Sequence, residues 1–143
     1  MIILDTNVVS EPLRPEPEPA VLAWLDAQAP ATLYLTSITL AELLAGVAAL
    51  PAGRRRNKLG QALTEQVLPL FEGRVLAFDM PAAHAFAQVH SGAQAAGNPI
   101  GFADAAIAAI ARAHGYALAT RNVRDFKGTG VEVIDPWLPL PAR

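Results

Sequence analysis

Four carboxylates of this chain each lie in an apolar stretch of sequence. Asp5 follows MIIL, Glu42 lies in SITLAELLAG, Asp104 in GFADAAIAAIA and Asp125 in LATRNVRDF. An ionised carboxylate in apolar surroundings normally shifts its pKa, pairs with a cation or binds a metal. Because few Lys or Arg residues lie beside the first three, the pattern favours a site for a metal ion.

Each carboxylate also has an ordinary structural interpretation. Asp5 could cap a following helix, because Asp-Thr-Asn is typical of turns. Asp104 falls in the first turn of a helix, where the helix dipole favours an anion, and Asp125 alone could be a simple loop residue. Glu42 has apolar neighbours, which predict that its helix is largely buried: Leu40, Ala41, Leu43, Leu44 and Val47.

Short apolar runs rich in β-branched and aromatic residues alternate with helical patterns. They predict strands at 2–4, 33–36, 75–78, 116–119 and 131–134. Helices are predicted at 20–27, 40–50, 57–71, 82–96 and 102–114, and Pro69 should bend or shorten the third. This alternation predicts an α/β fold with a central, mostly parallel sheet of four or five strands and helices on both faces. We expect one domain over 1–143, a proline-dense surface loop at 11–19 and an extended tail over about 136–143.

Such a fold would bring the four carboxylates to one edge of the sheet. Asp5 and the loop with Asp125 follow strands, whose carboxyl ends line the ligand crevice of open parallel sheets, while Glu42 and Asp104 lie in early turns of helices. Two unit charges 4 Å apart repel by about 4 kcal/mol at an effective dielectric of 20, so a cluster would bind protons or cations. Oxygen-only donors favour Mg²⁺ or Mn²⁺, which can activate water for displacement at phosphorus.

The distribution of charge is more informative than the net charge of −2. Residues 1–42 hold six acids and one base, whereas Arg54, Arg55, Arg56 and Lys58 form a basic cluster. A second basic set surrounds Asp125 and would suit a phosphodiester held beside the metal. Its members are Arg121, Arg124 and Lys127, with Arg112 as a more distant candidate.

Several other chemistries are excluded or disfavoured. The chain has no cysteine, which excludes disulfides, thiol catalysis and Cys-based zinc sites. His84, His90 and His114 lack zinc-ligand spacing, and neither a GxSxG elbow nor a phosphate-binding GxxxxGK[ST] loop is present. A haloacid-dehalogenase-like phosphatase would need a second Asp where Asn7 stands. No apolar stretch has membrane length, so we expect a cytoplasmic protein without a membrane partner.

The order and spacing of the motifs resemble a known family over nearly the whole chain. Asp5-Thr6-Asn7, Glu42 within TLAELLAG, Asp104 within IGFADAAIAAIA, and LATRNVRDF followed by GVEVIDPW resemble a PIN-domain ribonuclease toxin of the VapC type. ILDTNVVSEPLRPEP and RRRNKL resemble its FitB subgroup. The resemblance implies a three-layer PIN-like sandwich and a Mg²⁺-dependent endoribonuclease, with Mn²⁺ as a substitute, that hydrolyses RNA phosphodiesters.

The resemblance also implies residue roles. Asp5, Glu42 and Asp104 would form the metal site and Asp125 would complete it, although many relatives have Asp in place of Asn122, which leaves open which of the two faces the metal. Other residues would support the site or contact phosphate: Thr6, Asn7, Thr120, Arg121, Asn122 and Arg124.

The partners implied by the resemblance are those of a type II toxin–antitoxin system. A small VapB/FitA-like antitoxin would neutralise the toxin by binding a hydrophobic groove near the site. The toxin would form a homodimer or a dimer of heterodimers and would reach DNA only through the antitoxin. An alternative is a non-catalytic dimerising subunit of a DNA-binding repressor complex. The sequence does not specify the RNA target or the number of metal ions.

Overall fold

The computed structural model describes residues 1–140, in which five short strands alternate with six α-helices. The strands are β1 (Ile2–Leu4), β2 (Leu33–Thr36), β3 (Val75–Leu76), β4 (Ala117–Ala119) and β5 (Val133–Ile134). The helices are α1 (Thr6–Ser10), α2 (Pro19–Asp26), α3 (Ser37–Ala48), α4 (Arg54–Ala62), α5 (Met80–Ala95) and α6 (Phe102–His114).

The strands form one parallel sheet in the order β3-β2-β1-β4-β5. Ile3 is in register with Tyr34 of β2 on one side and Leu118 of β4 on the other. Strands β2 and β3 lie on one side of β1, and β4 and β5 lie on the other. The strand order therefore reverses between β1 and β4, and the carboxyl ends of strands at such a point form the crevice where ligands bind in α/β folds.

Alternate residues of the central strands pack into two separate cores. Ile3 and Leu118 belong to a core shared with α5 and α6, whereas Leu4 and Ala119 belong to a core with α1 and α3. This is the alternation that a strand buried on both faces requires. The predicted α/β fold with three layers is confirmed.

Helix α6 shows why small residues matter for this architecture. Ala105–Ala111, which includes Ile107 and Ile110, is fully buried along all of its length. Alanine allows the backbone of α6 to approach both the sheet and α5, as the sequence predicted. Gly115 then ends the helix in the left-handed conformation, with φ of 69°, which glycine adopts without steric cost.

Two local predictions were incomplete. The proline-dense segment is not all loop: Glu11–Leu13 forms a short 3-10 turn, and Glu11 is buried because Arg14 and the backbone N–H of Glu18 hydrogen-bond to its carboxylate. The helix predicted at 57–71 begins at Arg54 and ends at Ala62. A π-helical turn (Leu63–Val67) and a 3-10 turn (Leu68–Phe71) follow it. Pro69 lies in the second of these turns and has no backbone N–H with which to continue an α-helix.

The predicted tail and the predicted burial of α3 also need correction. The chain after β5 turns at Asp135, so that Trp137 packs against the core that contains Leu4; residues 141–143 lie outside the described residues. Helix α3 buries only Thr39 and Leu43, and Leu43, Gly46 and Val47 line a surface groove. Among residues 1–140, no helix is long and apolar enough to cross a membrane.

Candidate active site

Asp5 is the buried centre of the site. It follows β1 directly, and its backbone N–H donates to the carbonyl of Ala119 on β4 at 2.9 Å. Its carboxylate accepts hydrogen bonds from the backbone N–H of Thr6 at 2.8 Å and from the Thr120 hydroxyl at 2.7 Å. Asp5 therefore caps the start of helix α1, as its structural interpretation predicted. It is also fixed at the point where the strand order reverses.

Thr120 and Asn7 hold this centre together. The buried Thr120 hydroxyl donates to Asp5 and accepts from the backbone N–H of Asn122 at 3.1 Å and from the Asn7 amide at 3.4 Å. The Asn7 side-chain oxygen accepts from the backbone N–H of Arg121 at 3.2 Å. The loops after β1 and β4 are thus joined by side chains whose hydrogen-bonding capacity is used inside the site.

Glu42 enters from α3. Its side chain is exposed, and its carboxylate accepts a hydrogen bond from the Thr6 hydroxyl at 2.7 Å. The Thr6 hydroxyl in turn lies 3.5 Å from that of the buried Thr39. Thr6 therefore connects the carboxylate of α3 to the end of β1, which brings Glu42 to the same edge as Asp5.

Asp104 enters from the first turn of α6 and is half-buried. Burial and, to a smaller extent, the negative charges of Asp5, Asp125 and Glu42 together raise its pKa to about 6. The pKa of Asp5 is also raised, first by burial and then by the charges of Glu42 and Asp125, although its hydrogen bonds with Thr120 and Thr6 oppose the increase. The four carboxylates therefore lie close enough to repel one another.

Asp125 is exposed and lies in a short 3-10 turn after β4, Val123–Phe126. The Asn98 side chain anchors this turn by donating to the carbonyls of Arg124 at 2.9 Å and Lys127 at 3.2 Å. Behind the turn, Gly92 of α5 packs so tightly that an added Cβ would lie 2.7 Å from the Gly128 carbonyl oxygen. Sequence reasoning missed Asn98, although an Asn before Pro99 at the entrance to α6 is an identifiable turn signal.

The candidate phosphate contacts have different surroundings. Arg121 lies over the Trp137 ring, with its guanidinium carbon 5.2 Å from the ring centroid, whereas Arg124, Asn122 and Lys127 are exposed. Arg112 donates to the carbonyl of Thr129 at 3.2 Å and packs against Gly130, so it serves the fold and does not face the site. Sequence reasoning also missed Trp137, which was assigned to the tail.

The donor set fits a hydrated divalent cation. Among the residues that the structure describes, no three His, Asp or Glu side chains converge, as they stand, into a complete ligand set for one ion. Mg²⁺ keeps several waters, however, and needs only one or two direct carboxylates besides substrate phosphate. Oxygen-only donors and the raised pKa of Asp104 match that requirement, because a bound cation would relieve the repulsion among the carboxylates.

Comparisons with known proteins agree with this geometry. The family model for the PIN domain matches residues 2–131, a range that contains all four carboxylates. The chain is 50% identical to VapC ribonuclease Y4jK of Sinorhizobium fredii over 97% of its own length and 99% of the relative's. It is 48% identical to Toxin FitB of Neisseria gonorrhoeae over 96% of its own length and 99% of the relative's.

A solved structure shows the same fold over the full length. FitAB bound to an IR36 DNA fragment matches with a TM-score of 0.94 and 45% sequence identity, covering 100% of both chains. The likeness therefore includes the elements that carry the four carboxylates: β1, α3, α6 and the loop after β4.

Proposed function

The chain belongs to the PIN-domain family, as its motifs predicted, and we propose that it is the endoribonuclease toxin of a type II toxin–antitoxin system. The observation that carries the proposal is that Asp5, Glu42, Asp104 and Asp125 lie at the reversal point of a parallel sheet, near enough for their charges to raise the pKa values of Asp5 and Asp104. The ribonuclease and toxin named among its relatives support the activity. The reaction is hydrolysis of RNA phosphodiester bonds.

Mg²⁺ is the cofactor in this proposal, and Mn²⁺ can replace it. Asp5, Glu42 and Asp104 would hold the hydrated cation, directly or through its waters, and the bound cation would lower the pKa of water and stabilise charge at phosphorus. Thr120 and the Thr6 backbone N–H orient the Asp5 carboxylate, and Thr6 orients Glu42. Asp125 orients the attacking water or a second ion, and Arg121 and Arg124 contact phosphate.

Cleavage of total RNA by the antitoxin-free protein tests the proposal. Wild type should cleave with Mg²⁺ or Mn²⁺ and not with EDTA, and Asp5→Asn and Asp104→Asn should both lose cleavage. Asp26→Asn is the matched control, because Asp26 is exposed at the end of α2, away from the site. A folded wild type that cleaves nothing would instead support the non-catalytic dimerising subunit of a DNA-binding repressor complex.

The antitoxin binds, in this proposal, in a groove of about 870 Å³ between the proline-dense segment, α3 and α4. Leu43, Val47 and Leu59 form its apolar wall, and Arg55 and Lys58 lie at its basic side. Glu42 and Thr6 also line the groove, so a segment bound there reaches the carboxylate cluster and blocks RNA. DNA is contacted only through the antitoxin, consistent with the FitAB complex on DNA.

Gly46 offers a clean test of this groove. It lines the groove, and a Cβ added there meets no atom within 4 Å, so Gly46→Leu should fold normally while it narrows the groove. We expect this variant to bind the cognate antitoxin more weakly and to keep RNA cleavage. Ala45→Leu is the control, since Ala45 is an exposed neighbour on α3 outside the groove lining. Equal antitoxin affinity of the two variants would contradict this location.

A homodimer and a cytoplasmic location complete the proposal. Phe102 is 66% exposed, and its ring lies 5.4 Å from that of Phe86 and 6.2 Å from that of Phe78. The dimer face that we propose is this aromatic patch, together with Met80, which is 73% exposed and follows Phe78 by two residues. Phe102→Ser should shift the protein from dimer to monomer in analytical ultracentrifugation. An unchanged dimer would place the interface elsewhere, whereas a wild-type monomer would contradict the homodimer.

A further inference from the structure

Arg121 is the cation whose backbone is tied most directly to the carboxylate site. It follows Thr120, the residue that donates to Asp5, and its own backbone N–H donates to the Asn7 side chain. The start of its side chain is therefore fixed relative to Asp5. Arg124 and Lys127 instead extend from the exposed 3-10 turn and its end.

The Trp137 ring supports the other end of this side chain. The guanidinium carbon of Arg121 lies 5.2 Å from the ring centroid, within the range of a cation–π interaction. The ring is itself held in place, because the Trp137 backbone N–H donates to the Asp135 carboxylate at 2.9 Å and the side chain packs against the core that contains Leu4. Trp137 is thus a fixed platform and not part of a loose tail.

The Arg121 guanidinium has hydrogen-bond donors to spare. Its positive charge helps to lower the pKa of the buried Glu11, but that carboxylate already accepts from Arg14 at 2.9 and 3.3 Å and from the backbone N–H of Glu18 at 3.3 Å. Within residues 1–140, the sole ion pair joins Arg14 to Glu11. A guanidinium held over an aromatic ring by cation–π attraction keeps its N–H groups available for contact with phosphate.

We propose that Trp137 is a positioning residue that holds Arg121 to bind a backbone phosphate of the RNA beside the carboxylate cluster. This rests on the proposed ribonuclease function and adds the device by which a site with four negative charges accepts a phosphodiester. The segment after β5, which lies far from Asp5 in sequence, becomes part of substrate binding. Trp137 acts through Arg121 and does not touch the reacting atoms.

The test measures RNA binding in a protein that does not cleave. A fluorescently labelled single-stranded RNA is titrated into Asp104→Asn protein, with and without further substitutions, and anisotropy gives the dissociation constant. Trp137→Leu removes the π face and keeps an apolar packing group, so it should weaken binding about 3- to 10-fold. Trp137→Phe retains a π face and should restore most of the affinity. Arg121→Gln should weaken binding at least as much as Trp137→Leu.

The double variant decides whether Trp137 works through Arg121. With Arg121→Gln already present, Trp137→Leu should have little additional effect, and Arg121→Gln should reduce the salt dependence by about 0.7 in the slope of log affinity against log salt, the contribution of one phosphate on a single strand. Lys127→Gln is the control for loss of a positive charge from the same region. In the Lys127→Gln background, Trp137→Leu should still weaken RNA binding in full, because Arg121 is present there.

Three results would overturn the inference. They are additive effects of the two substitutions, a Trp137→Phe variant as weak as Trp137→Leu at matched melting temperature, or unchanged RNA affinity in Trp137→Leu. Because binding is measured without cleavage, a wild-type protein with no nuclease activity would contradict the proposed function and leave this binding result interpretable.

Discussion

The two halves of the carboxylate site are built differently. On the strand side, Asp5 is buried and its carboxylate accepts hydrogen bonds from Thr6 and Thr120. On the helix and loop side, Asp104 is half-buried and Asp125 is exposed. Within residues 1–140, no hydrogen bond is made to either of these two carboxylates. The strand half is therefore completed when the protein folds, whereas the other half has charges that a cation and substrate must satisfy.

This difference predicts unequal losses of RNA cleavage. Asp5→Asn should reduce the rate by on the order of 100-fold or more, because the bound cation supplies several kcal/mol of charge stabilisation. Asp125→Asn should reduce it less, by about 10-fold, since Asp125 lies on a surface turn and orients groups that water can partly replace. Single-turnover cleavage of one RNA substrate measures both, and a larger loss in Asp125→Asn would reverse the assignment of the halves.

Thr120→Val tests whether hydrogen bonding within the strand half matters for activity. The substitution preserves volume but removes the donor to Asp5, so the pKa of Asp5 should rise and the cation should bind more weakly. We expect a loss of about 10- to 100-fold in Mg²⁺ affinity or activity.

Thr129→Val is the matched control for this substitution. Thr129 is also buried, and its hydroxyl donates to the Phe126 carbonyl, away from Asp5. Thermal unfolding of both variants separates general destabilisation from an effect on the site. Equal loss of activity in the two variants would show that the Thr120 hydroxyl has no special role.

The half of the site that contains Asp104 and Asp125, called here the open half, should instead show its effect when pH and metal are varied. The pKa of Asp104 in the folded protein, about 6, lies above its ordinary value of 3.8. The metal-free protein therefore loses stability as pH rises between these two values and carries the full cost of the ionised carboxylate above them. Asp104→Asn in EDTA should therefore melt about 2–4 °C higher than wild type at pH 7.5, if solvent reduces the cost to about 1 kcal/mol. The difference should disappear near pH 4.

Mg²⁺ should change this order of stability. Mg²⁺ should raise the melting temperature of wild type at pH 7.5 and raise it less at pH 5. It should have little effect on the melting temperature of Asp104→Asn, because protonated Asp104 and Asn are both poor ligands. Scanning calorimetry at the two pH values measures this directly. Equal stabilisation of wild type and Asp104→Asn by Mg²⁺ would remove Asp104 from the metal site.

The sequence predicted the parts of this molecule that depend on local patterns. Apolar runs located all five strands, and the Ala-rich stretch before His114 predicted a helix buried against the sheet because small side chains permit close approach. The expectation that the four carboxylates lie at one edge of the sheet came from their positions after strands and in early turns of helices. The metal-binding roles of these residues stay predictions, since the folded geometry by itself does not measure affinity.

The features that were missed depend on contacts between distant segments. Glu42 was expected on a buried helix, but only Thr39 and Leu43 of α3 are buried, and Leu43 and Val47 line a surface groove. Composition does not distinguish a core from a binding surface. Glu11 is buried because Arg14 pairs with it inside a proline-dense segment that lacks any hydrophobic pattern. Trp137 packs against the core that contains Leu4, a residue near the other end of the sequence, and no local signal indicates this packing.

The smallest predicted effect concerns the anchor of the open half. Asn98→Ala removes two hydrogen bonds, to the carbonyls on either side of Asp125 and Phe126, and should destabilise the protein by about 1–2 kcal/mol. Cleavage should fall less than about 10-fold, because the packing of Gly92 against Gly128 still holds the turn. Asn57→Ala, at an exposed position on α4, should change neither. If Asn98→Ala abolished cleavage at unchanged stability, Asp125 would need the same rigid placement as Asp5. The difference that we draw between the strand half and the open half of the site would then be contradicted.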